Sequence, residues 1–255
     1  MALAFELRGQ GPRLAMVHGF AQNRLCWGKL VDDLATDHEL VLLDAPGHGE
    51  SQHDDADLWE SAQLLADIAG PAHYFGYSMG GRMLLHLALA NPELVQSLTT
   101  IGATAGTEDQ SDRRERIAAD EEIALRLLSG GLADFLQGWE QLPMFGDLTD
   151  EMWGRNERLT NRAAGLAASL RMVGSGRQEP LWDRLGQLSM PRQFLAGEDD
   201  QKFRDLAERM ASLSNRLPSE TAAVATAPVI LGARHAAHLV NPVAVAQQIR
   251  RFTQR

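Results

Sequence analysis

Short apolar runs of strand type alternate with helix-patterned segments through the first part of the chain, and this alternation limits the folds open to it. Arg13 to Val17, Glu39 to Leu43, Ala72 to Phe75 and Val95 to Ile101 read as strands. The first two are continuously apolar, as strands covered on both faces are. Between the runs, Trp27 to Leu34, Leu58 to Ile68 and Gly80 to Ala90 carry apolar residues at helical spacing, the last stopped by Asn91-Pro92. Buried strands separated by helices predict a parallel sheet with helices on both faces. From Thr107 to Leu188 the strand signal disappears and charged amphipathic segments take over, such as Ser111 to Leu128 and Leu132 to Gln141. The alternation then resumes with Gln193 to Ala196, Lys202 to Leu213, Pro228 to Leu231 and Val243 to Phe252. The expected α/β architecture has residues 1–106 and 189–255 as one core, with residues 107–188 as a helical cap. Ser214 to Ala227 reads as a long loop with no assigned purpose.

A chain of 255 residues suits one large domain with a substantial core. Asp plus Glu number 34 against 24 Lys plus Arg, a net charge of −10. Such a surface repels nucleic acid and anionic membrane, so neither is expected as a partner. It also opposes an anionic small substrate, which would need a local cluster of positive side chains. The one cysteine, Cys26, demands no oxidising compartment. Charge interrupts the N-terminal segment before a signal peptide could form, and no apolar run is long enough to span a bilayer. A cytoplasmic location is the expectation.

Gly76-Tyr77-Ser78-Met79-Gly80 fits G-x-S-x-G, with a strand before it and a helix after it, as the nucleophile turn of a serine enzyme requires. A hydroxyl needs a base, and the base needs an orienting carboxylate. The chain order of such sites is Ser, then Asp or Glu, then His. Gly197-Glu198-Asp199-Asp200 follows a late strand, and Asp200 is the choice there, with Asp199 in reserve. His235 and His238 both follow the last strand; His235 comes first and is preferred, leaving His238 to a pocket wall or to solvent. His38, His53, His73 and His86 read as surface or packing residues. The N–H groups of Met79 and Phe20 are the expected oxyanion hole, since both follow directly on strand ends. His48 lies in Pro46-Gly47-His48-Gly49, where loop shaping is expected rather than catalysis. No Cys/His spacing suggests a metal site, and no cofactor is expected.

The triad alone leaves the reaction open: ester, thioester, amide or C–C cleavage, or a non-hydrolytic step. Arg82 narrows it. It sits four residues after Ser78 on the same helix face, in an otherwise apolar helix, and a guanidinium there suits a carboxylate. Alternatively its stem packs on the helix with its head in solvent. Gly76-Tyr-Ser-Met-Gly-Gly-Arg82 resembles the nucleophile motif of the 2-succinyl-6-hydroxy-2,4-cyclohexadiene-1-carboxylate (SHCHC) synthases of menaquinone biosynthesis, a family of α/β-hydrolase fold. The resemblance continues in Arg113-Arg-Glu-Arg116 with Asp120, in Trp139-Glu-Gln-Leu-Pro-Met-Phe145, in Arg158 ahead of Leu166-Ala-Ala-Ser-Leu170, and in Gly197-Glu-Asp-Asp-Gln-Lys-Phe203. It implies a mostly parallel sheet with a helical cap inserted after the sixth strand. It also implies a substrate site at Tyr77, Arg82, Arg116, Trp139 and Arg158, taking a small anionic polycarboxylated cyclohexene from which pyruvate is eliminated. Arg234 departs from the family in replacing a glycine before the histidine, and Val240 stands where an acidic residue is common. A serine hydrolase, a carboxylesterase or a C–C bond hydrolase acting on a small carboxylated substrate, is the alternative activity. A non-catalytic binding module is disfavoured because all three triad members are present.

Overall fold

The computed structural model describes residues 2–52, 55–215 and 224–253. The chain opens with β1 (Phe5–Arg8), β2 (Arg13–Val17), α1 (Lys29–Leu34) and β3 (Glu39–Leu43), followed by α2 (Leu58–Ala69), β4 (Ala72–Tyr77), α3 (Met79–Ala90) and β5 (Val95–Ile101). Five helices come next: α4 (Gln110–Gly130), α5 (Leu132–Glu140), α6 (Asp150–Trp153), α7 (Arg155–Arg158) and α8 (Ala163–Val173). The chain then runs through β6 (Arg192–Gly197), α9 (Gln201–Ser214), β7 (Val229–Ile230), α10 (Ala237–Val240) and α11 (Pro242–Thr253).

The strands form one sheet in the order β1-β3-β2-β4-β5-β6-β7, parallel throughout except for β1, which pairs antiparallel with β3. Alternate residues of each strand feed opposite layers. Ala15, Val17, Val41, Leu43 and Tyr74 pack with α2, α3 and α9 on one face. Leu14, Met16, Leu40, Leu42 and Phe75 pack with α1 and α11 on the other. Because both faces are covered, the central strands are apolar at almost every position, which is why their runs are continuous.

No strand occurs between Thr107 and Leu188 among the described residues, as the loss of strand signal there implied. These helices follow the fifth strand, not the sixth as expected, because only four parallel strands and the antiparallel edge strand β1 precede them. A third apolar cluster joins Ala124, Leu127, Leu136, Leu166 and Leu170 of this segment to Ala21, which follows β2. The helical segment therefore sits over the end of the sheet where β2 and β4 finish. Most of the long loop expected from Ser214 lies outside the described residues.

Candidate active site

β4 ends at Tyr77 and α3 begins at Met79, so Ser78 occupies the turn by itself. Its φ of 49° is positive, a region that costs a side-chain-bearing residue about 1–2 kcal/mol. The neighbouring structure holds it there. The Ser78 N–H donates to the Ile101 carbonyl at the end of β5 over 2.8 Å, and its carbonyl accepts from the Arg82 N–H over 3.1 Å. The flanking glycines are needed for close approach. A Cβ on Gly76 would stand 2.7 Å from the Gly81 Cα, and one on Gly80 would stand 2.1 Å from the Val17 carbonyl oxygen.

Asp200, His235 and Ser78 form one hydrogen-bonded chain. His235 Nδ1 lies 2.8 Å from Asp200 Oδ2, and His235 Nε2 lies 3.1 Å from Ser78 Oγ. The carboxylate can only accept, so Nδ1 carries the proton and Nε2 is left to accept from the serine hydroxyl. His235 is buried, and the ring of Phe203 packs on it at 4.5 Å. Of the neighbouring acids, Glu198 Oε2 accepts the Gly232 N–H, and Asp200 is the one whose carboxylate reaches His235. Asp200 stands at the N-cap of α9 without capping it, its side chain turned to the histidine instead. That forgoes about 1 kcal/mol of helix capping. His238 faces neither solvent nor an open pocket; it is buried between Trp27 and Tyr77, with centroid separations of 5.5 and 4.2 Å. Burial, together with the charge on Arg158, pushes its pKa well below the ordinary histidine value, so it is neutral.

Met79 begins α3, at the end of the helix that carries partial positive charge, and the next N–H, that of Gly80, donates to the His18 carbonyl. Phe20 follows β2 in a loop held by the Gly19 N–H donating to Gln22 Oε1 and by His18. His18 Nε2 accepts the Ala45 N–H at 3.0 Å, which leaves Nδ1–H to donate to the Gly19 carbonyl at 2.8 Å. Burial lowers the His18 pKa to about 4, so this lock is a neutral imidazole. His48 packs its ring 5.1 Å from His18 and 5.8 Å from Phe20, in keeping with a shaping role.

The arginines are the informative feature. Arg82 does not send its head to solvent. It is 8% exposed and donates through Nη1 to the Val173 carbonyl at the end of α8, over 2.7 Å. Burial lowers its pKa to about 10. Arg158, 2% exposed, donates through Nε to the Trp153 carbonyl and through Nη1 to the Ala21 carbonyl, and its guanidinium lies 3.8 Å from the Trp153 ring centroid. Its charge acts on Tyr77, the residue before Ser78. Neither arginine makes an ion pair among the described residues. Arg116 is different: it is exposed and binds Asp120 Oδ1 through Nε at 2.9 Å and Nη2 at 2.7 Å.

Aromatic side chains close the space above. Trp139 stacks on Phe135 and meets the edge of Phe20, both at 5.4 Å, and its buried Nε1 has no partner. Phe145 stands 6.3 Å from His235. Of the expected residues, the structure brings Ser78, His235 and Asp200 into contact, sets Tyr77 beside His235 at 5.4 Å, and sets Trp139 beside Phe20. Arg116 and Arg158 share no partner. Sequence reading missed Trp153, whose only sign was an aromatic residue five positions ahead of Arg158. It also missed the latch made by Arg234, whose N–H donates to Asp147 Oδ2 and whose Nη1 donates to the Pro143 carbonyl, at 2.6 and 2.8 Å.

The model of the alpha/beta hydrolase family matches residues 14–248. The chain belongs to the alpha/beta hydrolase family. Within it, the chain is 31% identical to the SHCHC synthase of Serratia proteamaculans, over 98% of both chains. It is 32% identical to the SHCHC synthase of Photorhabdus laumondii, over 94% of this chain and 85% of that one. Among solved structures it is similar to MenH from S. aureus, with a TM-score of 0.87 and 26% identity over 99% of this chain and 98% of the other. These alpha/beta hydrolase relatives are enzymes, and so is this chain. None of its described helices is long and apolar enough to cross a membrane.

Proposed function

We propose that this protein is an SHCHC synthase-like lyase of menaquinone biosynthesis, with residues 107–188 as a cap on a core of residues 1–106 and 189–255. The observation that carries the reading is the pair of buried guanidiniums near Ser78, Arg82 and Arg158, neither in contact with a carboxylate. Burying a guanidinium whose hydrogen-bond partners are neutral carbonyls rather than a carboxylate is costly, a cost that a contacting anionic ligand offsets. In a chain of net charge −10, two such sites mark where a polycarboxylated substrate is held.

In this reading His235, oriented by Asp200, makes Ser78 basic enough to take a proton from the substrate ring. The electron pair left behind forms a new ring double bond and breaks the ring C–O bond, so enolpyruvate leaves, takes up the proton relayed through His235, and becomes pyruvate. Negative charge developing on the substrate meets the Met79 and Phe20 N–H groups at the positive end of α3. Tyr77, Arg116 and Trp139 complete the substrate site. The cytoplasm is the proposed location.

A coupled pyruvate-release assay on the polycarboxylated cyclohexene tests the reading. Wild type should release pyruvate, Ser78→Ala should lose about a thousandfold or more in kcat, and Arg82→Ala and Arg158→Ala should each lose more than about tenfold in kcat/KM. Hydrolysis of short p-nitrophenyl esters without pyruvate release would point instead to a serine hydrolase. Arginine variants indistinguishable from wild type would sink the carboxylate clamp.

A further inference from the structure

Asp120 is placed where a carboxylate is costly. It is 2% exposed, its Oδ2 has no hydrogen-bond partner, and it lies against the C-terminal end of α8. A Cβ on Gly174, the residue that ends that helix, would stand 2.4 Å from Asp120 Oδ2. The carbonyl end of a helix repels negative charge, and an unpaired buried carboxylate oxygen is a further penalty. Packing alone would be better served by a leucine.

What surrounds Asp120 supplies the reason. Its Oδ1 accepts both Nε and Nη2 of Arg116, one turn earlier on α4. Its charge also acts on Arg82, which is bound to the carbonyl of Val173, the residue before Gly174. One carboxylate thus stands between the cap helix α4, the end of cap helix α8 and the core helix α3 that begins beside Ser78. We propose that Asp120 is a positioning residue for substrate binding, holding Arg116 by contact and Arg82 by charge in the geometry that receives a substrate carboxylate. The proposal rests on the clamp reading above. With no substrate bound, Asp120 keeps the two guanidiniums from repelling one another.

The test is a double-mutant cycle on the full chain, combining Asp120→Asn with Arg116→Gln. Asparagine keeps the shape and removes the charge, and circular dichroism with thermal melting checks that each variant folds. Two readouts are taken: steady-state pyruvate release, and binding of succinate by titration calorimetry as a probe independent of turnover. The expected result is a KM raised about tenfold in Asp120→Asn with kcat within about twofold of wild type. Succinate binding should weaken in parallel, and Arg116→Gln with Asp120→Asn should lose less than the product of the two single losses, because the Arg116 route is shared while the charge on Arg82 remains. Losses that simply add show that Asp120 does not act through Arg116 and overturn the proposal. So does an unchanged KM and unchanged succinate affinity in Asp120→Asn. A wild type that binds succinate but releases no pyruvate ends the synthase reading, and the succinate arm still decides the role of Asp120.

Discussion

Ser78 shows how a single residue trades stability for chemistry. A serine at positive φ is held against its own preference by the Ile101 carbonyl on one side and the first turn of α3 on the other. Glycine would relax that strain while removing the hydroxyl. Ser78→Gly is therefore expected to be inactive and about 1 kcal/mol more stable, read from the midpoint of urea unfolding. A less stable variant would mean that the turn is not strained. Asp200 makes the same trade, giving up a helix cap to orient His235. The placement of both residues was legible in the sequence, because G-x-S-x-G between a strand and a helix and an acid after a late strand are local patterns. Among the three neighbouring acids, Asp200 is the one that hydrogen-bonds His235 Nδ1.

At the scale of elements, the strands and long helices followed from periodicity because each buries a continuous stripe or face. The antiparallel edge strand β1 escaped notice for the opposite reason: Phe5–Arg8 is largely exposed, so no apolar pattern marks it. The joints between elements were equally hidden. Arg234, on the loop that carries His235, reaches across to Pro143 and Asp147 in the segment between α5 and α6. Arg234→Ala removes the side-chain half of this latch and keeps the main-chain half. Since an exposed hydrogen bond contributes about 1 kcal/mol, kcat/KM is expected to fall by less than about tenfold while the unfolding midpoint barely moves. An Arg234→Ala enzyme with wild-type kinetics would show that the latch has no part in holding the helical segment over the site.

Buried neutral histidines set how the whole molecule responds to acid. His18 and His86 both have pKa values lowered from 6.5 to about 4, chiefly by burial. In the unfolded chain they would titrate near 6.5 and in the folded protein near 4. Between those values the unfolded state binds protons that the folded state does not, so stability falls as the pH drops through this window. At pH 7 and above the two histidines cost nothing, and below about 4 their contribution to the loss is complete. The expected loss is about 3 kcal/mol for each, seen as a melting temperature that falls steeply from pH 6.5 to 4. A flat melting profile over that range would contradict the burial of these two rings.

Local spacing and the periodicity of burial carry the layered α/β core, the serine turn and the chain order of Ser78, Asp200 and His235. The sequence also marked Arg82, Arg116 and Arg158, since arginines stand out from an apolar or family pattern. What those arginines do was decided by tertiary structure. Whether a guanidinium faces solvent or lies buried without a carboxylate depends on residues more than ninety positions away, such as Val173 for Arg82 and Ala21 for Arg158. Desolvation is a property of the assembled surroundings, and no local pattern records it.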